Sequence, residues 1–296
     1  MPRTAGDTWD IVTSVGFTAL AVCAARALDA GLDPPLANDP FAAGFVTAAG
    51  EPNLIAAVAD TDMTSAAAFN AQWVGVRTQF FDDYFTRAAR SGTRQAVILA
   101  AGLDSRAYRL EWPSGCTLFE VDQPQVLEFK QQVLDTRRAV PSTRRVTVAV
   151  DLRDDWAAAL IEAGFDPGQP TAWALEGLLP YLPGPAQDAL FERLHGMSAV
   201  GSHIAAELGP APGEIREFAD NVPTISQDSD HPPVAELWYD DPRIDTKDFL
   251  AERHWKVAGI DLVDRAANEY GRPFHELPTV FDRLLRTKFF SATRER

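Results

Sequence analysis

The stretch Gln95–Arg109, Q-A-V-I-L-A-A-G-L-D-S-R-A-Y-R, constrains the fold more than any other part of the chain. It opens on the apolar run Ala96-Val97-Ile98-Leu99, whose length and β-branched content predict a buried strand. The run breaks at Ala100-Ala101-Gly102, three residues small enough to let another molecule approach the backbone. Leu103-Asp104-Ser105-Arg106 follows, where Asp104 or Ser105 can cap a helix. A strand, a small-residue turn and a helix start is how open α/β sheets build a ligand site at a strand's carboxyl end. The turn alone is a degraded form of G-x-G-x-x-G, and many strands end in small residues simply to turn.

The downstream runs add what the turn lacks. Cys116–Val121 ends at Asp122, about 20 residues past the glycine, where nucleotide-binding α/β folds hydrogen-bond a ribose diol. Arg145–Val150 ends at Asp151-Leu152, and Thr171–Leu175 ends at Glu176-Gly177. Three successive strands thus deliver a carboxylate at their carboxyl ends. A dinucleotide's pyrophosphate wants backbone N–H groups and cations, and a row of carboxylates would repel it. S-adenosylmethionine has no phosphate and presents a sulfonium, an amine, a diol and an adenine amine. Acids suit it, with Asp122 on the diol, Asp151 on the adenine edge and Glu176 near the methionine portion.

The motifs A-A-G-L-D-S-R-A-Y-R-L, F-E-V-D-Q-P, V-D-L-R and L-E-G-L-L-P-Y-L occur in that order, after T-W-D-I-V-T-S-V-G-F-T-A-L-A-V-C-A-A-R-A near the N-terminus. They resemble the mycobacterial-type S-adenosylmethionine-dependent methyltransferases of actinobacteria, a family related to leucine carboxyl methyltransferases. The resemblance spans most of the chain and is specific for family and cofactor, not for substrate. It implies an α/β fold with a class I methyltransferase-like Rossmann sheet, mostly parallel, of seven strands with an antiparallel closing strand. It also implies S-adenosyl-L-methionine as cofactor and, by analogy, methyl transfer to oxygen. The cofactor-binding set is then Ala100, Ala101, Gly102, Asp122, Asp151, Leu152, Glu176 and Arg77. Ala100 departs from the wider class, which often has glycine there.

Arg77 enters through its surroundings. It is a cation in an otherwise apolar helix in which Phe69, Trp73, Val76, Phe80 and Phe81 recur at helical spacing and predict a face packed on the sheet. Its structural role would be a solvated side chain or a bridge to Asp82 or Glu51. Its functional role would be to hold the cofactor's methionine carboxylate, which a guanidinium meets two-to-two. In leucine carboxyl methyltransferases a helix ahead of the glycine turn supplies such an arginine, and Arg77 occupies the similar place. Arg26 is a weaker alternative.

The rest of the chain sets bounds. With 296 residues there is room for one large domain, or a domain with a helical cap. The expected division is a helical cap over 1–92 and a methyltransferase domain over 93–296 carrying an insertion at about 209–245. A net charge of −15 argues against nucleic acid and anionic membranes as partners, leaving a small-molecule acceptor. Cys23 and Cys116 sit in apolar runs, as in a reducing cytoplasm, and the five histidines show no metal-ligand spacing. Ile11–Ala25 is shorter than the roughly 20 residues of a membrane span and lacks a positive leader, so a cytoplasmic location is expected.

Before Gln95 the pattern is helical. One helix capped by Asp10 runs to about Ala30, a short element starts at Asn38-Asp39-Pro40, and a long helix from Asp60 or Thr61 reaches Arg90. After Gln95 strands and helices alternate, with helices near 105–110, 124–138, 154–163 and 185–199, which predicts a parallel sheet with right-handed crossovers. Further strands are expected at Ser202–Leu208, Trp255–Gly259 and Thr287–Thr293, with helices at Thr246–Arg253 and Asp261–Gly271. Gly209–Asp245, with six prolines and a short helix over Glu214–Asn221, is read as a cover for the substrate mouth or as a surface insertion. Tyr181, His203, His231 and His254 are the candidates for a base, and the pattern singles out none. Two other functions share parts of this pattern. A nicotinamide-dependent oxidoreductase would share the turn and Asp122 but gives no reason for Asp151 or Glu176. A non-catalytic S-adenosylmethionine-binding protein would keep the whole pocket.

Overall fold

The computed structural model describes residues 15–59, 65–209, 238–274 and 287–296. Seven strands form one sheet: β1 (Gln95–Leu99), β2 (Thr117–Asp122), β3 (Arg144–Ala149), β4 (Thr171–Leu175), β5 (His203–Leu208), β6 (Trp255–Leu262) and β7 (Lys288–Arg294). Their order is β3-β2-β1-β4-β5-β7-β6. β1 pairs in parallel with β2 on one side and β4 on the other, so Gln95 faces both Thr117 and Thr171. β7 runs antiparallel between β5 and β6. This is the mostly parallel, seven-stranded sheet expected. The chain leaves β1 for β2 and later returns for β4 on the other side, and that reversal opens a crevice at the carboxyl ends of the strands.

The alternation of side chains along the strands divides the core in two. Val97, Leu99, Phe119, Val121, Trp173 and Leu175 face one layer, where helices α7 (Trp156–Glu162), α8 (Gly184–Gly196) and α9 (Thr246–Glu252) contribute Trp156, Leu190, Phe191 and Phe249. The opposite face is built of small side chains, Ala96, Ala172, Ala174 and Ala205, with Ile98 and Leu118. Against it lies the long helix α4 (Ala66–Arg90), whose Phe81, Tyr84 and Phe85 fill the space the alanines leave. Phe80 stacks on Phe289 of β7 with ring centroids 5.0 Å apart. A third cluster joins α1 (Val15–Asp29), α2 (Ala42–Ala49) and α3 (Pro52–Val58) to Leu103 and to α6 (Pro124–Thr136). It sets α1 directly above the β1 turn.

The sequence reading omits α3, which begins at Pro52 and is capped by Glu51, whose carboxylate accepts from Leu54 N at 2.6 Å. The cap of α4 is Ser65, accepting from Ala68 N, not Asp60 or Thr61, which lie outside the described residues. Asp10 and the helix expected over Glu214–Asn221 also lie outside them. β6 continues to Leu262, beyond the expected Gly259, because a register shift between Ala258 and Asp261 carries the chain past a glycine with φ of +59°. A bulge of this kind breaks the period-2 pattern by which a strand is recognised. Among the described residues no helix is long and apolar enough to cross a membrane, and no group of three or more His, Cys, Asp or Glu is placed to hold a metal.

Gly75 of α4 faces the Asp29 carboxylate at the end of α1. A Cβ there would lie 2.1 Å from Asp29 Oδ1 and 2.3 Å from Arg272 Nη2. Asp29 is fixed, since its other oxygen accepts from Leu36 N and Ala37 N. Helix propensity alone would favour Gly75→Ala by about 1 kcal/mol. The expected outcome is the reverse, a loss of ~1–3 kcal/mol from overpacking, read as a lower melting temperature.

Candidate functional site

At the carboxyl ends of β1 to β4 lies a cavity of about 680 Å³. All eight residues assigned from the sequence line it: Ala100, Ala101, Gly102, Asp122, Asp151, Leu152, Glu176 and Arg77. Thr18, Ala19 and Val22 of α1 form its roof, and Ala186, Ala189 and Leu190 of α8 form its far wall. The α8 contribution was legible in principle, since those positions share one helical face.

The turn after β1 owes its shape to two left-handed residues, Ala100 (φ +54°) and Gly102 (φ +47°). A non-glycine residue in that region carries strain of roughly 1–2 kcal/mol. Three of the turn's N–H groups are already engaged. Ala101 N donates to Val121 O, Asp104 N to Ala101 O, and Gly102 N to Asp122 Oδ2 at 2.6 Å. Ser105 holds the N-cap position of the short helix α5 (Arg106–Arg109) and its Oγ accepts from Arg109 Nε, while Arg106 N donates to Asp104 Oδ1 just ahead of it. A pyrophosphate would need such donors, and here they are spent on carboxylates and carbonyls. This donor set disfavours a dinucleotide and leaves acids facing the cavity.

Asp122 is held by two amides, Gly102 N and Gln123 N. Burial pushes its carboxyl above the ordinary carboxylate range, while the two amides pull the other way. Asp151 accepts from Arg153 N, Nε and Nη2 and, at 2.8 Å, from Gln123 Nε2. Gln123 therefore ties the end of β2 to the end of β3, a role the sequence reading did not assign.

Arg77 reaches the crevice from α4. Its Nε lies 3.0 Å from Glu176 Oε1, its Nη1 3.2 Å from Glu207 Oε2, and its guanidinium sits 4.9 Å from the Trp73 ring. Neither bridge offered as its structural role forms, because Glu51 caps α3 and Asp82 is taken by Arg106 and Arg109. Arg26 also lines the cavity, but it is bound to Asp39 at 3.1 Å and to Leu103 O at 3.0 Å.

The largest omission from the sequence reading is Arg106. It is fully buried and bridges Asp82 on α4, Asp104 in the turn and Glu176 after β4. Burial alone would raise the Asp104 carboxyl, but Arg106 and Lys130 more than offset this and hold it at about 2. An arginine four residues past a glycine turn looks like an exposed helix residue, and only the fold brings the three acids to it.

Of the base candidates, Tyr181 lines the cavity. His203 sits at the start of β5 against Thr293, away from the crevice. His254 follows α9 and does not line the cavity, and His231 lies outside the described residues.

Fold and cavity together describe a Rossmann-like protein with a crevice at the carboxyl ends of its parallel strands, lined by the acids that end β2, β3 and β4. A family model described as leucine carboxyl methyltransferase matches residues 19–195. A protein of Mycobacteroides abscessus named as an S-adenosyl-L-methionine-dependent methyltransferase is 65% identical over 299 residues, covering 100% of this chain and 99% of that one. A Rhodococcus jostii protein of the same description is 49% identical, covering 93% and 94%. One from Mycobacterium marinum is 46% identical, covering 94% of each chain. The protein is an S-adenosyl-L-methionine-dependent methyltransferase. The chain belongs to the leucine carboxyl methyltransferase family, within the mycobacterial-type group that its motifs resemble.

Three outcomes are expected of this site. Asp122→Ala should weaken S-adenosylhomocysteine binding by roughly 10- to 100-fold, the ~1.5–3 kcal/mol of hydrogen bonds to a charged group, with circular dichroism unchanged. On the expectation that Asp122 accepts the ribose hydroxyls, which favours the carboxylate, wild-type affinity should fall as pH drops through the raised Asp122 pKa, and Asp122→Asn should flatten that dependence in calorimetry. For the unliganded fold the sign is opposite, since a raised carboxyl pKa gives stability that is present at low pH and lost as pH rises through it. Arg106→Ala leaves three acids without their shared cation and should cost ~3–5 kcal/mol in denaturant unfolding.

Proposed function

We propose that the protein transfers a methyl group from S-adenosyl-L-methionine to an oxygen of a small-molecule or carboxylate acceptor, by in-line displacement. The oxygen is supported by the matched family, whose name denotes methylation of a carboxyl group. The cofactor assignments rest on the strand-end acids converging on one cavity.

In this reading Asp122 accepts the ribose hydroxyls and Asp151, with Leu152 beside it, holds the adenine edge. Arg77 takes the methionine carboxylate and Glu176 sits by the amine. Ala100, Ala101 and Gly102 let the methionine chain lie close to the backbone. When bound, the cofactor supplies a methyl carbon on an already activated sulfonium leaving group. The protein's share is positioning, which is worth roughly 7–11 kcal/mol when the reacting atoms are held near attack geometry. The carboxylates grip groups remote from the sulfur, since attraction to the sulfonium itself would stabilise the ground state and slow transfer. The α1 roof, with Ala19 Cβ 3.5 Å from where a Cβ on Gly102 would stand, covers the turn and limits water there.

The test is transfer of label from methyl-labelled S-adenosylmethionine to a small-molecule extract, with the labelled atom identified by mass spectrometry. Label on oxygen supports the proposal, and label on nitrogen or sulfur defeats it. Binding of S-adenosylhomocysteine without any transfer would leave a binding protein. Asp151→Ala should weaken binding about tenfold for the adenosyl compound (~1.4 kcal/mol) and less for its inosyl analogue, measured by calorimetry. Equal losses would remove the adenine-amine contact.

A further inference from the structure

The acid assigned to the adenine edge is already fully engaged by the protein's own donors. An ionised carboxylate offers about four lone-pair positions. At Asp151 each of them is filled. Oδ1 accepts from Arg153 N and from Arg153 Nε, each at 2.9 Å, and Oδ2 accepts from Arg153 Nη2 at 2.7 Å and from Gln123 Nε2 at 2.8 Å. Asp151, Gln123 and Arg153 all line the cavity, so these bonds lie in its wall. An adenine amine arriving at Asp151 therefore meets no free acceptor position and must displace a donor.

These donors differ in how firmly they are held. Arg153 N belongs to a backbone turn in which Asp154 N also donates to Asp151 O at 2.9 Å. Gln123 holds the N-cap position of α6, and its own N donates to Asp122 Oδ1 at 2.7 Å. The Arg153 guanidinium is the loosest, on a side chain 50% exposed against 19% for Asp151. An exposed ion pair contributes little, because water serves both charges nearly as well. A second acid stands beside it. Asp154 lines the cavity and is exposed, and its carboxylate accepts from no group among the described residues. Asp154 suits a released guanidinium better than it suits the amine, since an exposed acid gains little by exchanging water for another neutral donor.

We propose that Arg153 sets both the affinity and the base preference of the cofactor site: its guanidinium stands on Asp151 in the place of the adenine amine, and cofactor binding exchanges one for the other. This rests on the assignment of Asp151 to the adenine edge given above. The exchange leaves Arg153 N and Gln123 Nε2 where they are, so the carboxylate keeps its direction. It frees one position on each oxygen, those now taken by Arg153 Nε and Nη2. The released guanidinium passes to water and to Asp154. Breaking this pair subtracts from the affinity the amine contact would otherwise give. The exchange also discriminates between bases. A purine with a 6-oxo group has no amine to place on Asp151, so it leaves Arg153 paired and gains nothing from its removal.

The test is a double-mutant cycle of Arg153→Ala and Asp151→Ala in the full chain, read by calorimetry with S-adenosylhomocysteine and with its inosyl analogue. Arg153→Ala should tighten S-adenosylhomocysteine binding by about twofold to fivefold and leave the inosyl analogue unchanged. In the Asp151→Ala background the same substitution should change neither affinity. Equal or weaker binding of S-adenosylhomocysteine by Arg153→Ala overturns the exchange. So does a gain that persists without Asp151, or one that extends equally to the inosyl analogue, since either marks a general effect of charge. The adenine assignment fails separately, and this inference with it, if Asp151→Ala weakens both ligands equally or if Asp154→Asn alone removes the preference for the adenosyl compound.

Discussion

One guanidinium holds three parts of the molecule in place. Arg106 has no exposed surface, and its partners come from a helix that precedes the sheet, from the turn after β1 and from the segment after β4. A buried cation is tolerable only when its donors are met, and a planar fork with five N–H groups can meet three acids at once. The same acids include Glu176, whose other oxygen receives Arg77, which in turn receives Glu207. The crevice is thus bounded by a continuous ionic chain from Asp82 to Glu207. Its members fix one another's positions, so the groups facing the cavity are oriented before any ligand arrives.

At Asp122 the crevice is organised differently, by backbone amides instead of an opposed charge. Asp122 is tethered through backbone amides and Asp151 through Gln123 and Arg153. Amides fix direction without neutralising the carboxylate, which suits acceptance from hydroxyls and amines. The rim thus combines paired charges at Glu176 and Asp151 with an amide-tethered acid at Asp122.

The sequence discloses the strands, their order of appearance and the acids that end them, because each of these is local. A short β-branched run, a break at small residues and a carboxylate two or three positions later can be seen without any tertiary knowledge. Asp122, Asp151 and Glu176 converge because parallel strands all end on the same side. The resemblance then supplied Arg77, whose place in an apolar helix only raised the question. What escaped notice was relational. Arg106, Asp82 and Glu207 are unremarkable in their own windows, and their significance comes from contacts across 24 and 130 positions of chain. The helix at Pro52 is hard to read from sequence because its cap is Glu51, a residue less used for that purpose than Ser, Thr, Asp or Asn. β6 was cut short where its own bulge interrupts the alternation.

The alanine-faced side of the sheet has a reach beyond packing. Ala172, Ala174 and Ala205 carry a single methyl each beneath α4, and that thinness sets the separation between helix axis and strands. Arg77 projects from that helix into the crevice and Asp82 onto Arg106 and Arg109, so the sheet's surface relief works as a spacer gauge for both. Thickening it by a few methylene groups would lift the helix and draw the guanidinium back from its acids, without altering any residue that faces the ligand. Affinity for the adenosyl compound would then drift through a change made wholly inside the hydrophobic layer.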